Sequence, residues 1–247
     1  SGALPISILW ALFIFGCACF LVFFCGGLPP HPRGLLGKMK MDQSEVEALF
    51  TRESGDYAFA RWGRPLAPGV FGVEAATLST VKGAIEAVCQ LASLEMVETD
   101  PELGANLMWF FFADWAELPA VPGLDRLVPD LVPLVARLEA AEANQYRIFR
   151  FDETGAIQAC FVFLRMDEHL SAVPAATLAL SQVVQSVLLW SDLAFRDRSP
   201  LAVAGETTVL RPEIAALIRA AYDPVMPVAA SDPSHALRLQ ARLGPVQ

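Results

Sequence analysis

The chain has 247 residues, with 18 Lys and Arg against 27 Asp and Glu, and a formal net charge of −9. Binding to nucleic acid needs clustered basic side chains that neutralise phosphates, and the few basic residues here are scattered, so that class of function is excluded. The length allows one N-terminal segment and one domain of about 200 residues with a sizeable core.

An apolar run opens the chain, since residues 1–32 contain no Lys, Arg, Asp or Glu and residues 3–28 are almost wholly apolar. A helix of this length would cross a bilayer core of about 30 Å at about 1.5 Å per residue. A cleavable signal has a charged start, a shorter apolar core and a small-residue cleavage site, and none of these is present. The run predicts a transmembrane helix over residues 3–28, followed by a Pro- and Gly-rich linker over residues 29–41.

The predicted transmembrane helix carries aromatic residues around a patch of small ones near Gly16, which would let another helix approach closely. Exposure of the aromatic residues to membrane lipid is the alternative interpretation. The candidate partner contacts in this segment are Trp10, Phe13, Gly16, Phe20 and Phe24.

The domain is expected over residues 42–224 and begins with a helical segment in which Ser44 and Glu47 are spaced as a capping box. A short apolar strand follows at 68–73, and apolar residues then recur every three or four positions over 77–94, which predicts an amphipathic helix. Cys89 in this helix and Cys160 further along lie in apolar segments, so two buried free thiols are favoured over a disulfide.

Residues 106–112 contain four consecutive aromatic residues and predict a buried central strand, with Trp109 and Phe111 on one face and Phe110 and Phe112 on the other. Docking of one aromatic face on a partner is the alternative, so Trp109 and nearby Trp115 are candidate partner contacts. Three prolines divide the next segment into short helical pieces, and residues 134–143 can form the last of them.

The second half of the domain opens with the clearest hairpin of the sequence, formed by strands 146–151 and 156–166 around the turn 152–155. Apolar helices are predicted over 174–190, where Trp190 is a further candidate contact, and over 211–222. Residues 225–247 form a tail with a short amphipathic helix at 235–243. Strands followed by helices predict an α+β domain.

Several short motifs, in this order and spacing, resemble an uncharacterised bacterial family of exported proteins, known as a domain of unknown function. The motifs are Arg61-Trp62, Gly104-Ala105-Asn106, Pro122-Gly123-Leu124, the hairpin, Gln185 seven residues before Asp192, and Ala221-Tyr222-Asp223-Pro224. The resemblance covers most of the segment after the apolar run. It implies export of the domain to the periplasm, whereas Arg33, Lys38 and Lys40 after the predicted helix favour the cytoplasm. We expect the periplasmic side of the bacterial inner membrane.

The resemblance also implies a helix similar to H-E-E-x-x-Q, a pattern like the metal-binding helix of zinc peptidases. Aligned through Gln185 and Asp192, the His position holds Leu180 and the two Glu positions hold Ser181 and Gln182. These residues supply neither the metal ligand nor the carboxylate base that such chemistry needs. The resemblance therefore implies a degenerate, non-catalytic copy that is at most distantly zincin-like, and we expect no catalytic residue, metal or cofactor.

The function expected from these observations is a single-pass accessory or scaffolding subunit of a larger inner-membrane protein complex, of which an energy-converting complex is one example. The first alternative is a membrane-tethered hydrolase or peptidase with displaced catalytic groups, for which Glu168 and His169 are the candidates. The second alternative is a module that binds an envelope ligand.

Overall fold

The computed structural model describes residues 41–205 and 207–243, together with the backbone of residues 20–24. The strands are β1 (Phe20–Phe24), β2 (Phe59–Ala60), β3 (Pro68–Phe71), β4 (Leu107–Phe112), β5 (Gln145–Phe151), β6 (Ile157–Arg165), β7 (Leu201–Ala204), β8 (Thr207–Leu210) and β9 (Ala229–Ala230). The helices are α1 (Gln43–Ala48), α2 (Ala75–Ala92), α3 (Leu124–Leu127), α4 (Leu131–Ala140), α5 (Glu168–Ser171), α6 (Ala175–Val187), α7 (Pro212–Ala221) and α8 (Ser234–Arg242), with a 3-10 helix at Trp115–Ala120.

A five-stranded mixed sheet with the order β1-β5-β6-β4-β3 organises the fold. Strands β3, β4 and β6 run parallel, whereas β5 pairs antiparallel with both β6 and β1. Helix α2 connects the neighbouring parallel strands β3 and β4, as a parallel pair requires. The chain enters α2 through Gly72, whose φ is +83° and where a Cβ would collide with the carbonyl oxygen of Phe111. Only glycine fits that turn without strain.

Helices cover both faces of the sheet. Trp109, Phe149 and Val162 point into the first apolar cluster, which they share with α1, α2, α6, α7 and α8. Phe110 and Phe163 point into the second cluster, which is closed by the 3-10 helix, α3 and α4. The structure confirms that residues of β4 alternate between two buried faces. The result is a mixed sheet covered by helices in three layers, and the predicted fold class is wrong in its N-terminal transmembrane helix.

The prediction of a transmembrane helix over residues 3–28 is wrong. Residues 20–24 of that run form the extended strand β1, in register with β5 from Phe20 opposite Phe149 to Phe24 opposite Gln145. Within the described ranges, no helix combines the length and the hydrophobicity that crossing a bilayer requires. The assignment of the chain as a single-pass inner-membrane protein with a periplasmic domain depended on that helix and is corrected with it. Phe, Leu and Val suit a strand as well as an apolar helix, so hydropathy alone could not separate the two.

Several local predictions are confirmed with shifted ends. The 77–94 pattern forms α2, in which Val81, Ile85, Val88 and Ala92 are buried on one face. The hairpin of β5 and β6 forms around a turn in which the Asp152 carboxylate accepts from the N–H groups of Thr154 and Ala156. Cys89 and Cys160 are buried free thiols.

Two details near the ends of the domain differ from expectation. The capping box of α1 uses Asp42 and Glu45, two residues before the predicted Ser44 and Glu47. The predicted tail contributes β9, which pairs with β2, and α8, which packs against α1. Residues 225–243 therefore belong to the domain.

Candidate functional site

Helix α6 carries the positions that the resemblance aligns with a metal-binding pattern. Pro174 is its N-cap residue, and its buried positions include Ser181, Gln182 and Gln185, whereas Leu180 is half-buried. The three polar residues are all on the side of α6 that faces the sheet, where their hydrogen bonds join α6 to β5 and to its own preceding turn. The candidate site is this polar network between α6 and β5.

Arg147 lies at the centre of the network. It is 2% exposed and shares a strand face with Phe149, two residues along β5, so its guanidinium is directed towards α6. Nη1 donates to Gln185 Oε1 at 3.2 Å, and Nη2 donates to Gln182 Oε1. Burial lowers the pKa of Arg147 to about 10, with a small opposing contribution from Cys160. The guanidinium therefore remains charged at neutral pH.

The network continues through neutral groups. Gln182 Nε2 donates to Gln145 Oε1 at 2.6 Å, and Gln185 Nε2 donates to Ser181 Oγ at 3.0 Å. Cys160 on β6 lies against this network, and burial raises the pKa of its thiol to about 12 against the opposing effects of Arg147 and Ser186. A thiol with that pKa is protonated at neutral pH and is therefore a poor nucleophile.

The chemistry of this arrangement is that of a structural network. Amides and hydroxyls supply no general base near neutral pH, and their hydrogen-bonding atoms are directed at one another. In the described part of the chain, no group of three His, Cys, Asp or Glu residues is close enough to hold a metal ion. The arrangement satisfies one buried cation with side-chain amides, which fixes the position of α6 on the sheet.

Two motifs that carried the resemblance meet at the C-terminal end of α6. The Trp62 indole Nε1 donates to the Ser186 carbonyl at 2.9 Å, and the Tyr222 hydroxyl donates to the Val187 carbonyl at 2.7 Å. The Arg61 guanidinium lies 5.4 Å from the centroid of the Tyr222 ring. These contacts satisfy carbonyls that the last turn of a helix leaves without partners.

Another motif of the resemblance, Gly104-Ala105-Asn106, belongs to a buried loop cluster that precedes β4. Asn106 is fully buried; its Oδ1 accepts from the Ala67 N–H at 2.8 Å, and its Nδ2 donates to the Pro65 carbonyl at 2.9 Å and to Asp100 Oδ2 at 3.1 Å. Burial alone would raise the pKa of Asp100, but hydrogen bonds from the Leu103 and Glu102 N–H groups and from Asn106, with Arg64 nearby, lower it overall. This cluster holds the loop that leads into β4.

The predicted partner-contact residues fall into three groups. The side chains of Trp109, Trp115 and Trp190 are at most 4% exposed, and Trp190 stacks on Phe50 with ring centroids 5.3 Å apart, so all three contribute to the core. Phe20 and Phe24 are the first and last residues of β1. Trp10, Phe13 and Gly16 lie outside the described residues.

Glu168 and His169, the candidate catalytic residues of the hydrolase alternative, lie on the surface. Glu168 and His169 are exposed in the one-turn helix α5. The neighbouring Asp167 carboxylate caps this helix by accepting from the Leu170 N–H at 2.8 Å. The other oxygen of this carboxylate accepts from Asn144 Nδ2 at 3.0 Å, so Asp167 is engaged in local hydrogen bonds.

Sequence reasoning missed Arg147 and Gln145. Both stand in a strand whose apolar and polar residues alternate, a pattern that normally places the polar residues in water. One signal was available in the sequence: the otherwise apolar helix α6 carries Ser181, Gln182 and Gln185 on one side. Polar side chains that face a sheet need hydrogen-bond partners on that sheet.

No protein-family model matches the chain, and no curated protein and no solved structure matches it either. The resemblance to the exported family remains a prediction.

Proposed function

We propose that the chain is a non-catalytic accessory or scaffolding protein that acts through its surface within a larger protein assembly. The observation that supports this most directly is the Arg147 network. The polar side chains of α6, which would have to face a substrate or metal in an enzyme of the zinc-peptidase pattern, are buried and hydrogen-bonded to the sheet instead.

Exposed apolar side chains beside α8 support a contact surface. Val225 is 61% exposed and Leu237 is 51% exposed. Arg238, which follows Leu237 in α8, donates to the Val225 carbonyl at 3.3 Å, so the two apolar residues belong to adjoining segments. Apolar side chains at the centre of a polar surface are typical of protein contacts.

A matched pair of substitutions tests the proposal. Val225→Asp places a charge on the proposed surface, whereas Val132→Asp places the same charge at a somewhat more exposed valine on α4, on the opposite face of the sheet. We expect the unaltered chain and Val132→Asp, captured from native cells, to retain the same stoichiometric partner, and Val225→Asp to lose most of it. The complex should then form again from the two purified proteins, with the same ranking of variants.

Two results would contradict the proposal. One is a chain that is recovered without any stoichiometric partner. The other is a partner that binds normally to the unaltered chain but is released by Glu168→Ala with His169→Ala, because that dependence would point to chemistry at α5. Equal binding by both valine variants would place the contact on a different surface from the one proposed.

A further inference from the structure

Helix α8 is held to the domain through a buried imidazole. The exposed side of this amphipathic helix carries Leu237 and Arg238, whereas His235, Ala236 and Leu239 are buried. His235 is 2% exposed, an unusual degree of burial for a side chain that titrates near neutral pH.

The partners of His235 come from the segments that α8 covers. Its Nδ1 lies 2.8 Å from the hydroxyl oxygen of Tyr57, which is itself 5% exposed. The imidazole packs on the Phe59 ring with centroids 4.2 Å apart. The other ring nitrogen, Nε2, is buried and has no hydrogen-bond partner among the residues that the structure describes.

This geometry suits the neutral ring better than the charged one. Burial, together with the charge of Glu47, raises the pKa of Tyr57 above its ordinary value, so the hydroxyl keeps its proton and can donate it to an unprotonated Nδ1. The neutral ring then carries its hydrogen on Nε2. A protonated ring would carry hydrogens on both nitrogens: Nδ1 would then donate to the Tyr57 oxygen, the hydroxyl hydrogen would lose Nδ1 as its acceptor, and a charged N–H at Nε2 would be buried without an acceptor in the described part of the chain.

The charged groups around the pair do not compensate for such a charge. Among the described residues, Arg238 on α8 acts on His235 and repels a positive ring, and Glu47 on α1 acts on Tyr57. The groups packed against the ring from β2 and from the preceding loop are the aromatic rings of Phe59 and Tyr57. On α7 the buried side chains that share this cluster are apolar.

We infer that His235 is an acid-sensitive latch, which holds α8 against α1 and β2 while its ring is neutral and releases the helix when the ring takes up a proton. Release would uncover apolar side chains of the first cluster, among them Val46 and Phe50. The inference is independent of the proposed scaffolding role, because it concerns an opening of the chain itself.

The pH range follows from the two states of the ring. In the closed state burial, with a smaller contribution from Arg238, lowers the pKa of His235 to about 4. In the released state the ring has its ordinary pKa of about 6.5. The latch is therefore at full strength above about pH 6.5 and weakens as the pH falls towards 4. Linkage gives an increase of about 20-fold in the opening equilibrium at pH 5 relative to pH 7.

Hydrogen–deuterium exchange of the full chain between pH 7 and pH 4.5 tests the latch. After correction for the intrinsic pH dependence of exchange, we expect α8 peptides to open about 20-fold more at pH 5 than at pH 7, while α2 peptides stay unchanged. His235→Phe keeps an aromatic ring against Phe59 but cannot titrate, so its α8 should show no pH dependence. His169→Gln removes an exposed histidine and should behave like the unaltered chain.

Tyr57→Phe keeps the test decisive if His235→Phe does not fold. This variant retains the imidazole and loses its hydroxyl partner, so α8 should open more at every pH and still respond to acid. An α8 segment that does not respond to acid in the unaltered chain would overturn the inference. The same acid response in His235→Phe would also overturn it.

Discussion

At the scale of single residues, the fold depends on a few buried polar side chains that each satisfy several backbone groups. Asn106 is the clearest case, because one amide joins the Pro65–Ala67 segment to Asp100 and so places the start of β4. Removing one partner from such a cluster leaves the others buried without hydrogen bonds, and each unsatisfied group costs about 1 to 3 kcal/mol.

Asn106→Ala is expected to lower the free energy of unfolding by about 2 to 4 kcal/mol, since the Ala67 N–H, the Pro65 carbonyl and Asp100 all lose a partner. Urea denaturation followed by far-UV circular dichroism measures this. Glu102→Ala is the control on the same loop: it removes an exposed carboxylate from its ion pair with Arg64 and should cost about 1 kcal/mol or less. Equal losses for the two variants would show that Asn106 is not the organising residue.

At the scale of elements, the sequence predicted the helices and strands whose residue pattern lies within one short stretch of the chain. The period of α2, the aromatic strand β4 and the β5–β6 hairpin each show in a stretch of about 20 consecutive residues or fewer, and their types were correct. Strand β1 was not predictable in this way, because its pairing with β5 spans more than 100 residues and its apolar residues satisfy a helical interpretation equally well. The Arg147 network was missed for the same reason, since its members come from β5 and α6.

The contact between α6 and β5 should respond to substitution as a unit. Gln182→Leu alone leaves the Arg147 guanidinium short of an acceptor in a buried site and is expected to cost about 3 kcal/mol. Replacing both residues, as Arg147→Met with Gln182→Leu, removes the buried charge together with its acceptor. The double variant should therefore be more stable than the sum of the single losses predicts, by about 1 kcal/mol or more. A double-mutant cycle in urea measures the coupling energy, and additive losses would contradict a shared network.

At the scale of the whole molecule, the residues described from position 41 onward form two apolar clusters, one on each face of the sheet, and β1 pairs at the edge of that sheet. An edge strand contributes backbone hydrogen bonds to one neighbour alone, so the rest of the domain can keep its fold without it. Removal of residues 20–24 can therefore test their pairing with β5 while the rest of the domain stays folded.

Deletion of residues 1–24 tests whether β1 pairs with β5 in solution. We expect the shortened chain to keep its helical circular dichroism and to lose protection at every second amide of Tyr146–Phe149, because alternate N–H groups of β5 point towards β1. The β6 amides between β5 and β4 serve as the internal control and should stay protected. Site-resolved hydrogen exchange by NMR distinguishes the outcomes: unchanged protection along β5 would mean that residues 20–24 do not pair with it in solution, and loss of protection in β6 as well would mean that β1 is required for the whole sheet.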